Sequence, residues 1–473
     1  MAPSDLWRLT ARQAVAMLRT RQVSPLELID AAAGRIEATD KALNAMPTLC
    51  LDRARDRAKG LDRLDKNHPG WLAGLPISVK DLNDVEGVRT TFGSPVYKDN
   101  IARRTDAGVM NLEDHGALVV GKSNTPEFGA GAQTFNEVFG ITRNPWDTRM
   151  TCAGSSGGAA VNLAAGQVWL ATGSDLGGSL RTPASFCGVV GLRPSPGCVP
   201  HGPVGVPLDT FSVSGPMGRT VGDVALMLDA YCGAQPDDPL SYDPPAGSYQ
   251  AAVEAPIKPK RIGWTPDLGV CPVDNEVKAI CEAAVRRLAE IGATVEAASP
   301  DCSGAREAFQ TMRAHNMATA RAGLLKSDRD KLKPEVIWNI EAGLKLTIDD
   351  VRRAIVLQRE LYNRFVRFFR DHDLLVLPTA QHPPFPVEKR YVDEINGQKL
   401  ETYVDWILIT SIITMTGCPA ISIPCGFTKS GLPVGLQLVG KPRGEKALLA
   451  AAHLMEQVFG LATRLPIDPV VRH

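Results

Sequence analysis

No pair of the ten cysteines forms a C-x-x-C, and none joins a histidine at zinc-ligand spacing. They lie scattered at 50, 152, 187, 198, 232, 271, 281, 302, 418 and 425. In a chain this long, that pattern reads as reduced, mostly buried thiols in a cytoplasmic protein, with no metal site. A charge excess is also missing: 52 basic and 52 acidic residues leave a formal net charge of zero. This excludes the electrostatic footprint of a nucleic-acid or membrane-surface partner and is compatible with a homodimer. Long hydrophobic runs are absent. The most apolar stretch, residues 406–415, is too short to span a bilayer and carries Thr410, Ser411 and Thr414. The first twenty residues read as an amphipathic helix without the apolar core of a signal peptide. What remains is a soluble chain of 473 residues, long enough to bury a large core.

Helical periodicity dominates residues 10–60, with Ser24 and Pro25 marking a helix start. The β-branched run 75–80 (LPISVK) reads as a buried strand ending at Lys80, followed by a helix at 106–115 and a strand at 117–122. Residues 168–172 (VWLAT) predict another strand inside a glycine-dense region that runs from 139 to 218. Beyond 221 the alternation resumes, with strands at 261–264, 293–298, 374–378, 420–425 and 433–440 and helices at 275–291 and 444–458. Such alternation predicts an α/β fold, with a large, mostly parallel mixed sheet flanked by helices on both faces. The Pro-rich stretch 235–260 is the best linker candidate, but strands after it can complete the same sheet, so one domain over 1–473 is expected. Within it, a core at about 70–230 is followed by a divergent region at 235–400 and by closing strands and a helix at 418–460.

Three glycine-rich segments carry chemical signals. GALVVGKS (116–123) satisfies the phosphate-loop pattern, but its residues 117–120 are themselves a strand, which cannot curl its amides around a phosphate. GSSGG (154–158) fits a nucleophile elbow centred on Ser156, yet the preceding residues are polar and Pro-containing. That reading also needs a downstream acid and one of His201, His315, His372, His382 or His453. GSDLGGSLR (173–181) follows a strand directly, and its three glycines let backbone N–H groups converge on an oxyanion.

Lys80, GSSGG and GSDLGGS in this order resemble the amidase signature family. Further matching pieces are LPISVKD (75–81), TTFGS (90–94), NTPEF (124–128), FGITRNPWD (139–147), RTPASFCGVVGLRP (181–194), SGPMGRTVGD (214–223), CPAISIP (418–424) and GLPVGLQLVG (431–440). The likeness implies a Ser–Ser–Lys triad of Ser179 as nucleophile, Ser155 as relay after a cis peptide bond, and Lys80 as base. It also implies an oxyanion hole from the amides of Leu176, Gly177, Gly178 and Ser179. Asp175 and Arg181 are expected to orient the site or to form an internal ion pair. The acyl pocket is expected from residues 131–135, with Gly131, Ala132 and Gln133 contacting substrate, and from the divergent residues 300–410. Ala153 and Ser195 depart from the commoner family pattern, where Gly and Thr stand.

These residue types suit amide hydrolysis. A serine hydroxyl needs a base, and a lysine can serve only if burial makes it neutral near pH 7. The implied function is hydrolysis of a small-molecule amide to an acid and ammonia or an amine, without metal or organic cofactor. The rival readings are the glutaminase subunit of a tRNA-dependent amidotransferase and a non-catalytic binding protein on the same scaffold. TPEFG (125–129) and the uncharged run after it look more like stand-alone amidases.

Overall fold

The computed structural model describes residues 3–202, 206 and 208–472. Met1, Ala2 and His473, at the ends of the expected domain, lie outside that set. The expected N-terminal helix is divided into a 3-10 turn, Pro3–Arg8, and an α-helix, Ala11–Arg19. Pro25–Leu43 starts where expected, with Ser24 and Glu27 closing a reciprocal cap.

Eleven strands form one sheet: β1 (Thr48–Leu49), β2 (Pro76–Lys80), β3 (Leu118–Ser123), β4 (Leu170–Asp175), β5 (Val190–Arg193), β6 (Val213–Gly218), β7 (Arg261–Trp264), β8 (Thr294–Ala297), β9 (Leu374–Pro378), β10 (Ala420–Phe427) and β11 (Pro433–Val439). Their spatial order is β1-β3-β2-β4-β6-β5-β10-β11-β9-β7-β8. Strands on both sides of the Pro-rich stretch 235–260 therefore share one sheet.

The mixed sheet is as expected, but parallel pairing does not predominate. It is confined to two blocks, β3-β2-β4 and β9-β7-β8, and the other six interfaces are antiparallel. The reason lies in β5, β6, β10 and β11: β10 and β11 form a hairpin through residues 428–432, β5 and β6 follow one another through 194–212, and β5 and β10 pair antiparallel in mid-sheet. Both faces are covered: along β3, Leu118 and Val120 enter one hydrophobic core and Val119 the other.

β4 starts two residues later than the sequence pattern places it and runs on through Gly173 to Asp175. Its register with β2 pairs Ile77 with Leu170 and Ser78 with Ala171 in parallel. Lys80 and Asp175 thus both stand at carboxyl ends of neighbouring parallel strands, the edge at which α/β sheets bind ligands.

Candidate active site

β2 is buried throughout and delivers the Lys80 side chain into the protein with no exposure. The Thr172 hydroxyl on β4 accepts from the Lys80 amide at 2.9 Å and fixes the strand end. Lys80 Nζ lies 2.7 Å from Ser155 Oγ, 2.9 Å from Ser156 Oγ and 2.9 Å from Ser174 Oγ. Among the described residues it makes no ion pair. Burial pulls the ammonium down to about 7, with Asp175 as the opposing influence.

The Gly154–Ser155 peptide is cis, as the family likeness implies. Ser155 precedes the helix Gly157–Ala164, whose eight residues are all buried. Ser179 precedes the helix Arg181–Cys187. The two serine segments are laced together by the Ser156 amide, which donates to the Ser179 carbonyl at 3.2 Å. Ser155 and Ser179 line one cavity of about 400 Å³. Lys80 and Ser155 are joined directly. Among the described residues the half-buried Ser179 hydroxyl has no hydrogen bond, and its Oγ opens on the cavity.

The expected donor set needs one correction. The Gly178 amide donates to Asp175 Oδ1 at 2.9 Å and so is not free as an expected oxyanion donor. The amides of Leu176, Gly177 and Ser179 have no protein partner among the described residues. Gly178 has φ +116, and a Cβ there would stand 2.2 Å from Thr410 Oγ1. Thr410 also donates to the Gly177 carbonyl at 2.7 Å, so the helix Leu408–Met415 pins the segment from behind.

Asp175 and Arg181 form the internal ion pair, with Arg181 donating from Nε and Nη2 at 2.9 and 2.8 Å. Arg193 approaches the same carboxylate at 3.2 Å. Burial opposes the carboxylate charge, but Arg181 and Arg193 overcome it and hold the carboxyl below its ordinary range. Arg181 continues to Gln437 on β11 at 2.6 Å and to the Thr410 carbonyl at 3.0 Å. A fully buried cluster therefore ties the donor segment to two distant parts of the chain.

Of the expected substrate contacts, Gly131 and Ala132 line the cavity. Gln133 does not: it is buried and donates from Nε2 to the Val387 carbonyl at 2.7 Å. Gly131 has φ +106, and a Cβ there would meet Lys333 Nζ at 2.8 Å. Among the large side chains of 300–410, Arg313, Met317, Arg321, Tyr403 and Ile407 line the cavity. Phe309, Ile340 and Trp406 are core, whereas Trp338 and Tyr362 face solvent. Ser174, Thr172, Arg193 and Thr410 are site residues that the sequence reading does not single out, and Ser156, weighed there as the centre of a nucleophile elbow, instead meets the Lys80 amine. Arg193 lies in the family-like segment 181–194, whereas nothing in the sequence marks Ser174, Thr172 or Thr410.

The phosphate-loop match resolves as strand β3. Its Lys122 is buried, donates to the Asn83 carbonyl at 2.6 Å and to Thr90 Oγ1 at 2.8 Å, and lies 3.5 Å from Asp81. All ten cysteines are free and eight are buried. Among the described residues, no helix is long and apolar enough to cross a membrane. No group of three or more His, Cys, Asp or Glu among them is placed to hold a metal ion.

The Amidase family model matches residues 27–449. The chain belongs to that family. This amidase is 35% identical to an acylamidase of Rhodococcus erythropolis over the full length of both chains. It is 36% identical to a glutamyl-tRNA(Gln) amidotransferase subunit of Moorella thermoacetica, over 98% of this chain and 99% of that one. A solved bacterial aryl acylamidase of the amidase signature enzymes superposes with a TM-score of 0.88 at 27% identity, covering 97% of this amidase and 99% of the other chain. The amidase is accordingly an amide hydrolase.

Proposed function

We propose that this amidase is a stand-alone acyl amidase working through Ser179, Ser155 and Lys80. The observation that carries the reading is a fully buried lysine whose amine meets three serine hydroxyls and no carboxylate. A lysine held near neutrality is a base, and Ser155, with one proton to give and lone pairs to accept, can relay between Ser179 and Nζ. Ser179 Oγ attacks the carbonyl carbon while its proton passes to Ser155 and that of Ser155 to Lys80. The carbonyl oxygen, now O⁻, takes the amides of Leu176, Gly177 and Ser179. The C–N bond breaks as the proton returns through Ser155 to the nitrogen, and the amine leaves. Water then attacks the acyl-serine by the same relay and releases the acid. Ser179 and Ser155 line the same cavity, and the contact the relay needs between their hydroxyls is one that substrate-free sites commonly leave incomplete.

Full-length likeness to an acylamidase supports the stand-alone reading, and free, mostly buried thiols fit the cytoplasm. Zero net charge fits a homodimer. The rival amidotransferase reading is favoured by 36% identity to a chain of such an enzyme. Turnover by the purified chain alone separates the two. Hydrolysis of simple acyl amides without a partner supports the first, and turnover that appears only with a co-purified partner and tRNA supports the second. A fluorophosphonate probe is expected to label the peptide carrying Ser179. Ser179→Ala and Lys80→Ala are each expected to lower kcat by roughly 10⁴-fold or more, as in other acyl-transfer triads. Labelling elsewhere, or near wild-type turnover in either variant, refutes the assignment.

A further inference from the structure

Two arginines of the helix Ala305–Arg321 line the cavity, and among the described residues neither has a carboxylate at ion-pair distance. Arg313 is 7% exposed. Its guanidinium donates to Asn339 Oδ1 and to the Tyr403 hydroxyl, both neutral, and lies 5.2 Å from the Tyr403 ring. Arg321 sits 4.1 Å over the Phe128 ring. Among the described residues neither has an ion-pair partner within 4.0 Å. Arg181 and Arg193, which are fully buried, share Asp175. The acids on these walls stand outside ion-pair distance: Asp84, Asp106, Asp209 and Asp238 line the same cavity, and Glu127 acts on Arg321 from further away. Asp209 accepts from Asn316 Nδ2 at 3.0 Å, and Glu127 accepts from the Ser94 hydroxyl at 2.6 Å and the Lys333 amide at 2.7 Å.

A guanidinium stays charged at any working pH, and a buried charge without a partner is costly. Among the described residues three of the five N–H donors of Arg313 have no protein partner, and the residue lines the cavity. Its position relative to the reacting carbon follows from the helix. Phe309, four residues earlier, packs on the oxyanion segment: a Cβ at Gly177 would stand 3.3 Å from its ring. Arg313 therefore lies about one turn, roughly 5.4 Å, further along the helix. Arg321 approaches from another side, through Phe128 and Gly129, where a Cβ would stand 3.2 Å from Ser155 Oγ. Ser155 attends the leaving nitrogen, so the Gly177–Phe309–Arg313 wall is the acyl side.

The geometry points to Arg313 as the receptor for a carboxylate on the acyl chain, so that the preferred substrates are monoamides of short dicarboxylic acids. The inference rests on the amidase reading above for the chemistry, and on Arg313 alone for the selectivity. Glutaramate and pentanamide have chains of equal length with and without the carboxylate, and N-pentanoylglycine carries it on the amine side instead. Wild-type kcat/KM is expected to favour glutaramate over pentanamide at least tenfold. Arg313→Met is expected to cut that ratio by about ten- to a hundredfold, the range for a hydrogen bond to a charged group, and Arg313→Lys to keep part of it. An unchanged ratio in Arg313→Met overturns the inference. So does a loss confined to N-pentanoylglycine.

Calorimetry on Ser179→Ala separates the subsite from the chemistry. Glutaramate binding at least tenfold tighter than pentanamide, and losing that advantage with Arg313→Met added, upholds the subsite even if the wild type hydrolyses neither amide. Pentanamide turnover with no advantage for glutaramate overturns the subsite and leaves the amidase reading intact. Should Arg313→Met not fold, wild-type inhibition decides: glutarate is expected to compete at least tenfold better than pentanoate, and equal inhibition overturns the inference.

Discussion

Ser156 Oγ sits 2.9 Å from Lys80 Nζ and directs its own proton to the Ser174 carbonyl oxygen, 3.2 Å away. With its proton committed there, Ser156 meets Lys80 as an acceptor. A neutral lysine amine has two N–H bonds and one lone pair, so a hydroxyl that only accepts helps turn the lone pair toward Ser155. Ser156→Ala removes that constraint without touching the relay or the nucleophile. Steady-state kinetics are expected to show kcat about ten- to a hundredfold lower, equivalent to a lost hydrogen bond of about 1–3 kcal/mol, with KM little changed. Wild-type kcat in Ser156→Ala refutes the role.

The pH behaviour follows from Lys80. With the ammonium pulled down to about 7, kcat/KM is expected to rise with pH through that value, because the base acts only when neutral. Stability carries the same titration. Below pH 7 the folded protein bears a buried charge that the unfolded chain keeps in water. Between 7 and the ordinary 10.5 the unfolded state binds a proton that the folded state lacks, so this penalty fades as pH rises. Lys80→Met is therefore expected to be inactive yet more stable than wild type by up to about 5 kcal/mol at pH 6, with the difference nearly gone by pH 10. Urea unfolding of both proteins at the two pH values checks it. A difference that grows with pH overturns the assignment of Lys80 as a buried, neutral amine.

Asp175 acts on the site in two ways. Its carboxylate neutralises Arg181 and Arg193 and receives the amides of Gly178 and Leu180 at 2.9 and 3.1 Å. It also raises the Lys80 pKa against the effect of burial. Asp175→Asn leaves two buried cations uncompensated, at an expected cost of about 3–5 kcal/mol in denaturant unfolding. Whatever activity remains should have its rising pH limb moved below that of the wild type. A limb moved to higher pH contradicts the Coulombic link.

The sequence carried the local pattern of this fold better than its pairing. Lys80 at the end of a β-branched run, and the strands at 261–264 and 374–378, read directly from alternation and composition. β5 and β6 escaped notice because their glycine and proline content resembles loop chemistry, and missing them made the sheet look more parallel than it is. The contact between Lys80 and Ser155 was legible through the family likeness. The occupation of the Gly178 amide was not, because it depends on where the Asp175 side chain folds back. Gln133 likewise looked like a pocket residue by position, and only the carbonyl of Val387, 254 residues away, takes it out of the cavity. Contacts made across hundreds of residues leave no periodic trace.

At Gly178 both the backbone and the tertiary packing call for glycine. Its φ of +116 lies where L side chains are strained, and the space beside it belongs to the Thr410 side chain. Gly178→Ala must either turn the peptide, breaking the amide bond to Asp175, or push back the helix Leu408–Met415 that holds the Gly177 carbonyl. Either movement displaces the Gly177 and Ser179 amides on each side of it. The expected result is a fall in kcat/KM of about a hundredfold or more, with fluorophosphonate labelling of Ser179 slowed in parallel, since both need the same donors. Adding Thr410→Ala makes room for the methyl but leaves the backbone strain, so the double variant should recover only part of the loss. Full recovery would place the whole constraint in Thr410 and none in the backbone. Undiminished labelling in Gly178→Ala would mean that these amides do not hold the oxyanion.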